Sequence, residues 1–158
     1  MEYANEVFSV AIPRKADVVI SVAPYPMDVD LYQSQKALDN GKWALKEGGT
    51  IVMVSKCREG LGSEAFLTQL SSSTDPNVVI ENIKKKYVLG YHKAAKMAEI
   101  MTWADVGAVT DLDPEIISKA NMTPYKTVQE AVDVALEKNP DSEFLILMDG
   151  SVTIPRVE

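Results

Sequence analysis

The sequence contains one cysteine, Cys57, and one histidine, His92, in 158 residues. A single thiol cannot close an internal disulfide, and one imidazole cannot complete a metal site by itself. No apolar run reaches the ~18 residues that suggest a membrane span, and no signal-peptide pattern opens the chain. Lys and Arg number 16 against 23 Asp and Glu, a net charge of -7, and no basic cluster offsets the repulsion from a phosphate backbone. These deficits argue against nucleic acid and membrane as partners and predict a cytoplasmic protein. Nucleotide signatures of the G-x-G-x-x-G and G-x-x-x-x-G-K-[ST] kind are missing, as are a G-x-S-x-G elbow and an H-E-x-x-H pair.

What is present is a globular composition, 46% hydrophobic and 25% charged, read as a single domain over residues 1–158. A chain of this length buries roughly 70% of its unfolded surface without staples. Near-continuous apolar runs at 17–22 (DVVISV), 50–55 (TIVMVS), 105–110 (DVGAVT) and 143–148 (EFLILM) predict strands covered on both faces. They alternate with amphipathic stretches, so the predicted fold class is α/β, a mostly parallel central sheet of about four or more strands with helices on both faces.

Between the first two strands, Leu31, Ser34, Leu38, Gly41 and Leu45 form a stripe that predicts a helix over 28–47, capped by Asp28 or Asp30 and ended by Gly48-Gly49. Thr127 and Glu130 stand at capping-box spacing and open a helix over 127–138. Segments 63–70, 77–86 and 91–103 also read as helical, a helical insertion between the second and third strands. The opening EYANEVFSVAIP reads as a helix entering the first strand, with Tyr3, Val7 and Phe8 packing on the sheet edge.

Open parallel sheets gather ligands at the carboxyl ends of their strands, which directs attention to the loops 23–30 (APYPMDVD) and 56–62 (KCREGLG). Tyr32, Gln33 and Lys36 fall on one side of the helix that follows the first loop, offset from the leucine stripe. Lys36 leans toward the helix N-terminus, where the dipole is positive. Arg58 in the second loop belongs on the same rim, so the pair suggests a carboxylate or a phosphate as guest. The bland alternatives are a solvent-facing lysine and glutamine, a surface salt bridge at Arg58, a packed Cys57 and a His92 without a ligand role. From the residues alone there is an anion-binding edge and no self-sufficient catalytic set.

Taken together, LYQSQKALDN (31–40), GGTIVMVSKCREGLG (48–62), GYHKA (90–94) and TPYKTVQEAVDVAL (123–136) resemble the C-terminal domain of the nickel-dependent lactate racemase family, in order and in spacing. The resemblance runs from about Ala16 to the closing SVTIP. It implies a two-domain racemase or epimerase of 2-hydroxy acids, in which hydride passes from the substrate to a nickel pincer nucleotide and returns on either face. It further implies that the cofactor and the acid/base histidines belong to an N-terminal domain, absent from these residues, so the chain alone is expected to be inactive. The resemblance assigns Lys36 to the substrate carboxylate and Gln33 and Tyr32 to the closed pocket, with Arg58 and His92 as lesser substrate-binding candidates. Lactate racemases carry a tryptophan near the cleft where this chain has Tyr91 and His92, which fits a bulkier or more polar 2-hydroxy acid equally well. The alternatives are a stand-alone carboxylate-binding or regulatory module, and a subunit that assembles with a separately encoded N-terminal half.

Overall fold

The computed structural model describes residues 7–85 and 91–158, so Tyr3, Lys86 and Gly90 lie outside the described residues. The order begins β1 (Ser9–Ile12), β2 (Ala16–Val22), α1 (Leu31–Gly41), β3 (Leu45–Val54) and α2 (Glu64–Leu70). It continues α3 (Pro76–Lys85), α4 (Tyr91–Met101), β4 (Asp105–Val109), α5 (Pro114–Lys119), β5 (Thr123–Tyr125), α6 (Val128–Lys138), β6 (Phe144–Leu147) and β7 (Ile154–Val157).

Five strands form one sheet in the order β5-β4-β3-β2-β6, and every pairing in it is parallel. From β2 through β5 the chain steps in one direction, so right-handed crossovers put α1, the α2–α4 insertion and α5 on one face. The return to β6 carries α6 across the other face, in contact with β3 and β5. The central strands are apolar because both faces are covered. Val19, Ile51, Val52 and Met53 are fully buried, and they join Leu31, Leu38, Phe66 and Leu70 of the covering helices in the core.

Local chemistry fixes the helix starts. Ser63 accepts from the Phe66 amide and Thr127 from the Glu130 amide. Glu130 reaches back to the Lys126 amide at 2.6 Å, completing the reciprocal cap one residue earlier than the sequence spacing places it. Ser21 ties β2 to α1 by donating to the Ala37 carbonyl at 2.7 Å, and Gly150 packs so closely on Ser21 that a Cβ there would collide with its hydroxyl.

Two expectations are corrected. The helix expected over 28–47 runs only from Leu31, capped by Asp30, to Gly41; it is followed by a 3-10 turn over Lys42–Ala44, and Leu45 is already in β3, paired with Ala16. Leu45 keeps the phase of the helical stripe, but sheet pairing and its complete burial win over helical continuation. Gly48 does adopt a left-handed φ of 77°, inside the irregular start of β3 rather than at a helix end. Residues 9–12, read as part of an entering helix, are instead β1, which pairs in parallel with β7 in a separate two-stranded sheet. Val7 and Phe8 are 73% and 43% exposed and do not pack as expected.

Candidate functional site

The two loops predicted to carry the site meet at the start of α1. Leu31 and Tyr32 donate their amides to the carbonyls of Gly60 and Leu61, at 3.1 and 3.2 Å. Asp30 accepts from the Gln33 amide at 2.6 Å, and the Ser34 amide donates to the Asp30 carbonyl. Every amide of the first turn therefore has a protein partner.

Gly62 is what allows this docking. Its φ is 73°, and a Cβ there would meet the Asp30 carboxylate. Gly62→Ala thus disturbs the cap and imposes a left-handed conformation on alanine, with an expected loss of about 1–3 kcal/mol. Urea denaturation reads it directly, and an unchanged midpoint would show that the loop shifts without cost.

Arg58 is not a second unmatched cation. Its guanidinium grips the Asp28 carboxylate in a fork, Nε to Oδ2 at 3.2 Å and Nη2 to Oδ1 at 3.0 Å, and lies 5.0 Å from the centre of the Tyr25 ring. That geometry braces the first loop against the second. Behind it, Ser34 and Ser55 share a buried 2.7 Å hydrogen bond, with the Cys57 thiol 3.8 and 3.7 Å from their hydroxyls. Cys57 is buried and packs in the core, in line with its bland reading.

Tyr32, Gln33 and Lys36 share one side of α1, as the spacing predicts. Lys36 reaches back along the helix, its Nζ 3.6 Å from Met27 Sδ. Tyr32 packs edge-on against Phe66, ring centres 5.7 Å apart at 84°. The strand-end cleft, about 340 Å³ and lined by Ala23, Ser55, Lys56, Thr110 and Lys126 among others, is separate. Tyr32, Gln33 and Lys36 do not line it; Tyr32 lies on the side of α1 that meets α4.

There the structure adds a residue that the sequence reading passed over. Lys93 of α4 donates to the Tyr32 carbonyl at 2.7 Å, and its ammonium stands 3.8 Å from the centre of the Tyr32 ring. Burial, and next the nearby charge of Lys36, pull the Lys93 pKa down from 10.5 to about 8; Lys96 adds to this, while Asp30 and Asp39 oppose it. The available signal was its place on the flank of the buried Ala94, Met97 and Ala98 stripe. His92 is exposed, and none of the hydrogen bonds among the described residues uses its ring.

Neighbouring lysines on this face are matched. Lys42 and Lys96 both bind Asp39, at 2.7 and 2.6 Å. Burial pushes the Asp39 carboxyl up, but these hydrogen bonds prevail and hold it below the usual 3.8. Among the described residues, neither Lys36 nor Lys93 has a carboxylate within 4.0 Å. The arrangement offers the Lys93 ammonium beside the Tyr32 ring and the Lys36 ammonium on the same helix as that ring, which suits a small anion with an apolar or polar tail. No group of three or more His, Cys, Asp or Glu side chains among the described residues could hold a metal ion, and no helix is long and apolar enough to cross a membrane.

Comparison with known proteins adds the family context. A family model described as the lactate racemase C-terminal domain matches residues 12–154. The chain is 33% identical over 162 residues to a lactate racemase of Thermoanaerobacterium thermosaccharolyticum, covering 98% of this chain and 38% of the relative. It is 31% identical over 141 residues to a lactate racemase of Lactiplantibacillus plantarum, covering 85% and 33% respectively. The chain thus spans less than two-fifths of the length of these curated relatives. The solved structure of the Thermoanaerobacterium lactate racemase apoprotein superposes with a TM-score of 0.90 at 32% identity, over 98% of this chain and 39% of that one. A Thermotoga maritima crystal structure, with a TM-score of 0.64 at 12% identity over 99% of this chain and 40% of that one, is a likeness of fold alone.

Proposed function

Because this chain belongs to the lactate racemase C-terminal domain family, we propose that it is the cleft-closing, substrate-carboxylate-binding part of a cytoplasmic 2-hydroxy-acid racemase or epimerase. On this reading a nickel pincer nucleotide would supply the hydride acceptor for the racemisation. The cofactor and the acid/base groups then belong to an N-terminal domain, and the steps given to this chain are binding and enclosure. Lys36 holds the substrate carboxylate by a charge-assisted hydrogen bond. Tyr32 and Gln33 line the pocket on the same side of α1 and limit water around the substrate. Arg58 supports the site through its fork to Asp28 rather than by touching substrate, and His92 is left at the rim. The observation that carries the reading is the Lys36 ammonium, held back along α1 at 3.6 Å from Met27 Sδ with no carboxylate within reach among the described residues.

The test joins this chain to the N-terminal part of the Thermoanaerobacterium relative, loads the hybrid with cofactor and assays racemisation of lactate and of larger 2-hydroxy acids. Turnover by the hybrid and none by the chain alone is the anticipated outcome. A folded, cofactor-loaded hybrid that turns over none of these acids, paired with tight carboxylate binding by the chain alone, would replace the racemase reading with that of a stand-alone binding module.

A further inference from the structure

We propose that Lys93 is a second anion-binding lysine of this site, closing on a ligand carboxylate together with Lys36 while it holds Tyr32 in place. The inference rests on the substrate-binding reading of Lys36 and goes beyond it by adding a residue from a different element.

The argument begins with position. Lys93 comes from α4 and is fixed at two points on α1, the Tyr32 carbonyl at 2.7 Å and the Tyr32 ring at 3.8 Å. The ring is itself fixed by Phe66 of α2. An ammonium has three protons, and the Tyr32 carbonyl takes one, leaving donors for a guest.

Charge supplies the second step. The protein has a net charge of -7, and Lys42 and Lys96 on the same face are both satisfied by Asp39. Carboxylates are therefore plentiful, yet none among the described residues comes within 4.0 Å of either Lys36 or Lys93. Two half-buried lysines that repel each other form an unfavourable arrangement unless an anion completes it. The charged groups that act on Lys93 are Lys36, Asp30 and Asp39 from the α1 segment and Lys96 from its own helix, and the balance leaves its pKa at about 8. A carboxylate bound between the lysines reverses that balance, so ligand binding near pH 8 must draw a proton onto Lys93. Chemically, the guest is a small carboxylate, one oxygen to each ammonium, whose adjacent hydroxyl or keto oxygen can take a remaining donor.

The experiment uses the whole chain with lysine side chains isotopically labelled, lactate as the probe in large excess, and NMR titration of the Lys93 and Lys36 Nζ signals against pH. Lys93 should titrate near pH 8, and both Lys36→Met and added lactate should raise its midpoint by about one unit or more, a tenfold gain in proton affinity. Calorimetry in buffers of differing ionisation heat should register proton uptake on lactate binding at pH values just above 8, and none in Lys93→Met. Lys93→Arg, which keeps the charge, should retain more lactate affinity than Lys93→Met, whose affinity should fall tenfold or more. If lactate moves the Lys36 signal and leaves Lys93 unmoved, Lys93 is not part of the site and the reading of Lys36 stands. If lactate moves neither, the substrate-binding reading fails and this inference fails with it.

Discussion

Phe66→Ala lowers the unfolding free energy by about 3–5 kcal/mol, and the loss reaches the candidate site as well as the core. Phe66 is fully buried, so truncation removes its transfer energy and leaves a cavity that the surrounding helices fill only in part. It sits on the first turn of α2, directly after Ser63 ends the loop whose Gly60 and Leu61 carbonyls accept from α1. Its ring also supports Tyr32 edge-on at 5.7 Å, an aromatic pairing worth about 0.5–1.5 kcal/mol beyond burial. Removing it frees the Tyr32 ring, and Lys93 loses the fixed surface on which its ammonium rests. Urea denaturation should place the variant well below the parent, a large fraction of a typical stability of about 5–15 kcal/mol. Phe66→Leu keeps most of the volume and should recover much of the loss, while the NMR signal of Lys93 Nζ remains altered because the aromatic edge is gone. A loss under about 1 kcal/mol for Phe66→Ala would mean that the core around α2 collapses without cost, against its close packing.

The elements visible in the sequence are those whose burial is decided by their own residues. DVVISV, TIVMVS and DVGAVT are largely apolar because each lies inside the covered sheet; EFLILM forms the edge strand β6, where Ile146 is 55% exposed, against the expectation that both its faces are covered, yet all four are strands. β5 was not legible, since three residues including Pro124 carry no periodicity and exist as a strand only through pairing with β4. β1 and β7 escape for a related reason. Ser9 meets Ile154 across nearly the whole chain length, a contact that no local pattern announces. At the site, the grouping of Tyr32, Gln33 and Lys36 follows from helical spacing and was readable. The commitment of Arg58 to Asp28 depends on how two loops dock, and the role of Lys93 depends on α4 lying along α1 with Lys93 at Tyr32 and Lys96 at Asp39. Spacing along one element is local; the partner that another element brings is not.

In the hybrid enzyme that joins this chain to an N-terminal racemase domain, Lys36→Ala should cost about 2–5 kcal/mol in kcat/KM, the range for breaking one side of a partly buried charge pair. That corresponds to a fall of roughly thirtyfold to several thousandfold. The loss should lie mainly in KM, because the carboxylate keeps its charge throughout a reaction at the neighbouring carbon, so its contact with Lys36 stabilises ground and transition states nearly alike. A share in kcat would mean that Lys36 also sets the substrate's orientation. Lys36→Arg retains the charge but presents a planar fork in place of a compact ammonium and should recover only part of the loss. Folding provides the control. Taking away Lys36 removes a charge that depresses the Lys93 pKa, so the variant should be as stable in urea as the parent, or more so. A large activity loss with an undiminished urea midpoint is the signature of a binding residue; unchanged kinetics would take Lys36 out of the site.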